Sequence, residues 1–422
     1  MRKTIPVRRP ALATSPAALQ ARLDATAARF RQAMAESDFA TACRCCEEVL
    51  RFAPNNMQVL SDYALSLMRV GEKAKAYKVY QKIYRAPAAQ RAQASETWLD
   101  GLVEACGWLG KTDEVRRYGL EALQAADARF AQGTRYPLPA ATPAPFDPSK
   151  PEQNIIAFSL YGGQPRYCET LIKNVEVARE LYPGWICRVW LDESVPQHVW
   201  QRLAQAGAQL VDMSQEKTIF PTLWRFLVMD DPEVQRFIVR DADSLLSERE
   251  AAAVEAWLAS PYWFHHMRDY FSHTELLLAG MWGGCRGVFS GVGAWMRDFH
   301  ARYSSSERFA DQSFLKTVLW PTVRESVLNH DTLFGFHGAR GWPTHAPVRW
   351  QNDSFHVGSN AGFASMTGEA RVPEGEAQPV EISRGDERWR YAAQVKNAHW
   401  HLPMPFFLID EWERGALTVQ AL

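Results

Sequence analysis

An apolar run, Phe237-Ile238-Val239, leads straight into Arg240-Asp241-Ala242-Asp243-Ser244. Two carboxylates one residue apart at the end of a buried strand reach the same small volume only where the backbone bends. Hard oxygen ligands so placed suit a divalent cation bridging to a diphosphate. D-x-D strings are common in solvated loops, and it is the apolar strand directly before this one that argues for a site. Asp241 and Asp243 are therefore the candidate metal ligands, with Mn²⁺ or Mg²⁺ as the expected ion.

The elements that must position them follow from the texture of residues 152–422. NIIAFSLYG, CETLIKNVEVARELYP, ICRVWLDES, PQHVWQRLAQAG and AQLVDMS alternate strand and helix patterns, which argues for parallel βαβ units with ligands at the carboxyl ends of the strands. The strand-to-helix loops hold Tyr161, Gly162 and Gly163 after the first strand and Asp192 after the second. The glycine pair by itself serves the turn. Tyr161, Arg166 and Asp192 are counted as candidate ligand contacts. SLYGGQPRYC carries no lysine, unlike the phosphate loop expected of a nucleotidyltransferase.

The stretch Thr222–Ser247, TLWRFLVMDDPEVQRFIVRDADSLLS, resembles that of the glycogenin and bacterial lipopolysaccharide galactosyltransferase type, retaining GT-A enzymes that use nucleotide-diphosphate sugars. The resemblance implies an α/β GT-A (Rossmann-like) catalytic domain and a nucleotide-sugar-dependent glycosyltransferase. It places the donor-binding arginine on Arg225, carried by a helix before the strand, with Arg240 beside the D-x-D pair of Asp241 and Asp243. LLLAGMWGGC (276–285) resembles the loop that cradles the donor sugar, so Gly280, Met281 and Trp282 join the donor-binding set, although Trp282, Gly283 and Gly284 are not the family's usual residues. Asp311 and Gln312 fall where a D-Q pair faces the sugar, a position that suits the positive charge growing on the ring during transfer. Asp269 is held in reserve, and the competing use of Asp311 is to cap the helix SFLKTVLW. FHGARGWP, without the family's lysine, offers His337 as third metal ligand and Arg340 as a phosphate partner; His330 and His356 compete with His337. His265 and His266 follow an apparent strand, YWF, and as neighbours on an extended chain would face opposite ways.

Ahead of this region, Leu19–Phe130 is rich in Ala, Leu, Arg and Glu with helical periodicity. Ala42 and Ala76 stand 34 residues apart in two second-helix patterns that end at Pro54 and Pro87, a period resembling the tetratricopeptide repeat. A third unit is offset by about five extra residues in AAQRAQASE. The expected organisation is a flexible N-terminus (1–18), a tetratricopeptide-like all-α repeat domain (19–135), a proline-rich semi-rigid linker (136–151) and the catalytic domain (152–422). The linker carries six prolines.

The 47 basic and 48 acidic residues leave a net charge of −1, so there is no general field for nucleic acid or an anionic membrane. Seven cysteines is an odd number, and Cys43, Cys45 and Cys46 crowd one helical segment where adjacent side chains diverge, so all read as free thiols of a reducing compartment, with the cytoplasm the expected place; no second Cys or His pair lies at zinc spacing. No segment is apolar for the ~18 residues of a membrane span. The expected partners are a nucleotide-diphosphate sugar, a protein or glycan acceptor, and a protein partner or second copy bound by the repeats. The competing reading is a non-catalytic adaptor whose α/β domain only binds a nucleotide sugar.

Overall fold

The computed structural model describes residues 16–422 apart from Ser304, Asp353 and Phe363. Of the tail expected over 1–18, residues 1–15 lie outside the described residues, and the chain is helical from Pro16. The chain divides into two compact units, Met1–Ala122 and Leu123–Leu422.

The first unit is all helical: α1 (Pro16–Ala35), α2 (Phe39–Leu50), α3 (Met57–Arg69), α4 (Lys73–Arg85), α5 (Ala88–Arg91), α6 (Trp98–Trp108) and the start of α7 (Thr112–Phe130). Asp38 and Asn56 begin α2 and α3 by accepting the free N–H groups of Thr41 and Val59. Sequence neighbours pack together, α1 on α2, α2 on α3, α3 on α4 and α4 on α6. Ala42 and Ala76 are fully buried between them. Gly101 on α6 is needed for close approach, since a Cβ there would lie 2.2 Å from the Tyr80 hydroxyl of α4. AAQRAQASE, the stretch expected to hold the extra residues, forms the short α5 and its flanking turns.

The second unit opens with the remainder of α7, and the proline-rich stretch that follows is fastened down. Tyr136 stacks on Trp295 at 4.4 Å and donates its N–H to the Thr322 hydroxyl at 2.8 Å. Phe146 stacks on Trp185, and Arg236 donates to the Ala144 carbonyl. Prolines that cannot join a sheet thus run over the surface as a strap, held by aromatic contacts.

Then follow β1 (Asn154–Leu160), α8 (Pro165–Leu181), β2 (Ile186–Leu191), α9 (Gln197–Gln205), β3 (Gln209–Asp212), a 3₁₀ segment (Pro221–Asp230), β4 (Arg236–Arg240), α10 (Glu248–Leu258), β5 (Phe264–Arg268), β6 (Met281–Cys285), α11 (Val292–Arg302), α12 (Ala310–Phe314), α13 (Trp320–Val323) and β7 (Val327–Asp331). The sheet order is β3-β2-β1-β4-β6-β5-β7. β3, β2, β1 and β4 are parallel, and β6 runs antiparallel to both its neighbours, β4 and β5. Every residue of β1 and β4 is buried, as expected of central strands covered on both faces. The chain moves left from β1 to β2 and β3, then returns to the right for β4, so the carboxyl ends of β1 and β4 flank a switch point where α/β sheets bind ligands.

Two sequence expectations change here. The expected sugar loop 276–285 is a loop only to Gly280; Met281–Cys285 is strand β6, buried throughout. His265 and His266 lie inside β5, and they do face apart, His265 meeting His330 at 2.9 Å and His266 meeting Asn329 at 3.2 Å.

The C-terminal segment forms a second, antiparallel sheet from β8 (Ala364–Glu369), β9 (Ala377–Arg384), β10 (Glu387–Lys396), β11 (His399–Met404) and, after α14 (Phe406–Glu413), β12 (Thr418–Ala421), in the order β12-β9-β10-β11-β8. Alternate residues of β10, namely Trp389, Tyr391, Ala393 and Val395, are buried. The Tyr391 hydroxyl donates to Glu169 of α8 at 2.6 Å, and Arg202 of α9 clamps the same carboxylate, tying this sheet to the helices over the first. Among the described residues no helix is long and apolar enough to cross a membrane, and all seven cysteines are free and buried.

Candidate active site

A cavity of about 310 Å³ opens at the switch point, lined by Ser159, Leu160, Tyr161, Tyr167, Thr222, Arg225, Asp241, Ala242, Asp243, Arg308 and Asp311. The strand β1 contributes its end, β4 contributes the D-x-D pair, the 3₁₀ segment contributes Arg225, and the start of α12 contributes Asp311. These come from points of the sequence up to 152 residues apart, Ser159 to Asp311.

Arg225 is the hub. Its guanidinium donates to the Arg240 carbonyl at 2.8 Å, to Asp241 Oδ1 at 2.5 Å and to Asp311 Oδ2 at 3.0 Å. Its backbone N–H donates to the Ser159 hydroxyl at 3.0 Å, locking the segment to β1. Arg225 is 4% exposed, so these charge-assisted bonds are sheltered from water. The residue therefore fixes the two carboxylates relative to each other.

The carboxylates differ in their surroundings. Burial pushes Asp243 up to about 6, and repulsion from Asp241 adds to it, while Arg166, 3.6 Å away, works against both. Burial also raises Asp311, against the pull of Arg225. Two further buried polar atoms at the cavity, Thr222 Oγ1 and Arg225 Nε, have no hydrogen-bond partner.

The loop before β6 completes the site through absence of bulk. A Cβ on Gly280 would lie 2.1 Å from Asp241 Oδ2, so glycine lets the loop pass against the carboxylate. Gln312 holds that loop: with its amide turned to satisfy both groups, it donates to the Leu277 carbonyl at 3.0 Å and accepts from the Ala279 N–H at 3.1 Å. Asp311 lies inside the first turn of α12, whose N-cap is Phe309 without a side-chain cap bond, so the expected capping role is not met; its carboxylate accepts the neighbouring Gln312 N–H at 2.8 Å and faces the cavity. Tyr161 stands at the mouth, 45% exposed, edge-on to Trp224. The Arg166 guanidinium lies over the Tyr167 ring at 4.3 Å and donates to its hydroxyl.

The remaining expected site residues lie elsewhere. Arg240 points to the other face of β4, where it donates to Glu250 at 2.9 Å. Asp192 accepts the Ser194 N–H at 3.1 Å, and the Ser194 hydroxyl accepts the Gly162 N–H at 2.7 Å, so Asp192 shapes the loops rather than lining the cavity. Met281 packs beneath Gly358, and Trp282 is fully buried between Phe226 and Phe237. Arg340 pairs with the backbone of β7, its N–H donating to the Asn329 carbonyl at 2.8 Å. The His337 imidazole meets the Arg324 carbonyl at 2.6 Å and packs on Trp320. His330 is buried against His265, and His356 stacks on Tyr270 at 3.7 Å. Among the described residues no group of three or more His, Cys, Asp or Glu is placed to hold a metal ion, so none of these histidines completes a set with Asp241 and Asp243.

Thr222, Tyr167 and Arg308 line the cavity without having been singled out from the sequence. Thr222 opens the segment that carries Arg225, and Tyr167 follows Arg166, so proximity to named candidates was a usable signal for both. Arg308 sits in a surface turn and gave none.

No family model matches the chain, and no curated protein sequence matches it. Among solved structures, it is similar to a mutant form of the O-GlcNAc transferase of Thermobaculum terrenum, with 15% identity and a TM-score of 0.23 over 47% of this chain and 42% of that one. The chain thus spans less than half the length of that protein. It is also similar to glucosyl-3-phosphoglycerate synthase of Mycobacterium tuberculosis in complex with Mn²⁺, uridine diphosphate and phosphoglyceric acid, with 10% identity and a TM-score of 0.27 over 69% of this chain and 95% of that one. The same enzyme with Mg²⁺ and uridine diphosphate gives 11% identity at the same TM-score and coverage. At these TM-scores the likenesses do not define a shared fold.

Proposed function

We propose that the second unit is a GT-A-type, nucleotide-sugar-dependent glycosyltransferase. The observation that carries this reading is the meeting of Asp241, Asp243, Asp311 and Arg225 in one cavity at the carboxyl ends of β1 and β4. The D-x-D pair suits a divalent cation. Asp243 is a largely buried carboxylate whose ionised form is opposed by burial and by Asp241, and a cation between the two relieves both. Asp241 and Asp243 would hold Mn²⁺ or Mg²⁺, with phosphate oxygens and water as the other ligands. When bound, the ion neutralises charge growing on the departing diphosphate.

The chain's own residues do the rest. Arg225 holds Asp241 and Asp311 at fixed positions, so that little reorganisation is needed when charge develops. Asp311 lies where a carboxylate faces positive charge on the sugar ring. Thr222 Oγ1 and Tyr161 offer a hydroxyl and a ring face to the donor. Arg166 and Arg308 supply further positive charge at the rim. Gly280 and Gln312 position the loop against which the donor sits. The resemblance around 222–247 implies retention of anomeric configuration, and the helical unit, as a tetratricopeptide-like repeat domain, recognises a protein or glycan acceptor or a partner.

The test is a panel of UDP-, GDP- and dTDP-sugars, titrated by calorimetry with and without Mn²⁺ and followed for hydrolysis. Cation-dependent binding and slow hydrolysis of one donor support the reading. Binding without turnover under any condition points to the adaptor, and no binding of any donor removes the proposal.

A further inference from the structure

The first unit carries a second cavity, of about 340 Å³, lined by Asn55, Met57, Lys78, Lys82, Arg85, Ala86 and Gln90. Helix α4, KAKAYKVYQKIYR, has five cations and no acid, in a chain whose net charge is −1. Two of the five are satisfied away from the cavity: Lys75 pairs with Glu72 at 3.2 Å, and Lys73 lies over the Trp108 ring at 3.7 Å. The other three are exposed and line the cavity, and no carboxylate is among the lining residues. Lys82 is anchored on the turn between α2 and α3, its ammonium donating to the Pro54 carbonyl. Lys82 and Arg85 also lie in the last turn of α4, where cations complement the helix C-terminus, but Lys78 lies outside it and has no such use.

We propose that this cavity binds an extended acidic segment of a partner protein. Lys78, Lys82 and Arg85 are three and four residues apart on one helical face, so their charges span about 10 Å along the axis. Alternate side chains of an extended peptide recur every ~7 Å, so two carboxylates two residues apart fit within the roughly 10 Å row, one towards Lys78 and one towards the Lys82 and Arg85 end. The partly exposed Ala86 methyl offers a small apolar contact beside the cations, with the buried Met57 forming the floor. The row is short and local, whereas nucleic acid is drawn by a broad positive field that the chain's charge balance does not provide. This inference is independent of the glycosyltransferase reading, since every residue in it belongs to the first unit.

The experiment titrates the full chain into a fluorescein-labelled eight-residue Glu-Ser repeat peptide and reads anisotropy at low salt. Saturable binding is expected, weakening at least tenfold in Lys78→Glu/Arg85→Glu and weakening with added salt. Lys75→Glu, on the same helix but outside the cavity, should change the affinity less than threefold. The milder Lys78→Gln/Arg85→Gln pair should give an intermediate loss, and it serves if the charge-reversed pair melts early. Absence of saturable binding, an equal loss in Lys75→Glu, or single-stranded DNA of the same charge binding as tightly as the peptide would each overturn the proposal.

Discussion

Asp243→Asn should make the protein more stable at neutral pH while removing its cation response. Burial, helped by Asp241, lifts Asp243 from an ordinary 3.8 to about 6. At about 1.4 kcal/mol for each tenfold change in proton affinity, the ionised carboxylate costs the folded state about 3 kcal/mol. The side chain is 19% exposed, so solvent screening makes this an upper figure. The sign follows from which state holds the proton. Below pH 3.8 the carboxyl is protonated both folded and unfolded, and it contributes no difference. Between 3.8 and about 6 the folded state keeps a proton that the unfolded state has released, so wild-type stability falls as pH rises. Above about 6 the full cost is present. Asparagine keeps the shape without the charge, so the variant should unfold at higher urea than wild type at pH 7.5, by up to about 3 kcal/mol, and should match wild type at pH 3.5. The assay is urea unfolding in chelator at both pH values, repeated at pH 7.5 with Mn²⁺. The cation should stabilise wild type and leave the variant unmoved. A variant less stable than wild type at pH 7.5, or a difference that does not change with pH, refutes the reasoning.

Arg225→Ala should lose donor binding and cost about 3–5 kcal/mol, since it leaves the buried Asp311 without its partner, while Arg225→Lys should lose less of both. Calorimetry and urea unfolding read the two effects, and equal behaviour of both variants with wild type would place the guanidinium outside the site. Gly280→Ala should displace the Asp241 carboxylate, costing about 1–3 kcal/mol and weakening donor binding tenfold or more in the same two assays. Asp269, 2% exposed at its side chain and raised to about 6 by burial, lies outside the cavity. Asp269→Asn should therefore stabilise the fold above pH 6 but not at pH 3.5, and leave donor affinity within twofold.

That Asp241 and Asp243 end a buried strand at a cavity was legible because its signal is local. An apolar strand ending in D-x-D needs only its own neighbours to be read, and the βα alternation around it gives the edge on which it lies. What was not legible is the partnership that organises the centre. Arg225 and Asp311 are 86 residues apart, and nothing nearby in the sequence says that one guanidinium bridges Asp241 and Asp311. The glycines misled for a physical reason. Gly283 and Gly284 read as a loop, but they sit in β6, where a Cβ would lie 2.6 Å from the Phe237 carbonyl and 2.7 Å from its ring, respectively. Glycine serves close strand packing as well as turns, and only the neighbouring strands decide which. Arg240 stands beside the D-x-D pair in sequence, yet the pleat turns it away to Glu250, a consequence of strand alternation that strand boundaries alone settle. The alternation in ERWRYAAQVK was open to reading, and it marks the central strand of the second sheet.

The most direct test of the central claim is hydrolysis of a nucleotide-sugar donor by the full chain with and without Mn²⁺, wild type beside Asp241→Asn. The account predicts slow, Mn²⁺-dependent release of nucleoside diphosphate by wild type and none above background by a variant that remains folded. Equal release by the two proteins, or release by wild type that chelator does not reduce, would contradict it.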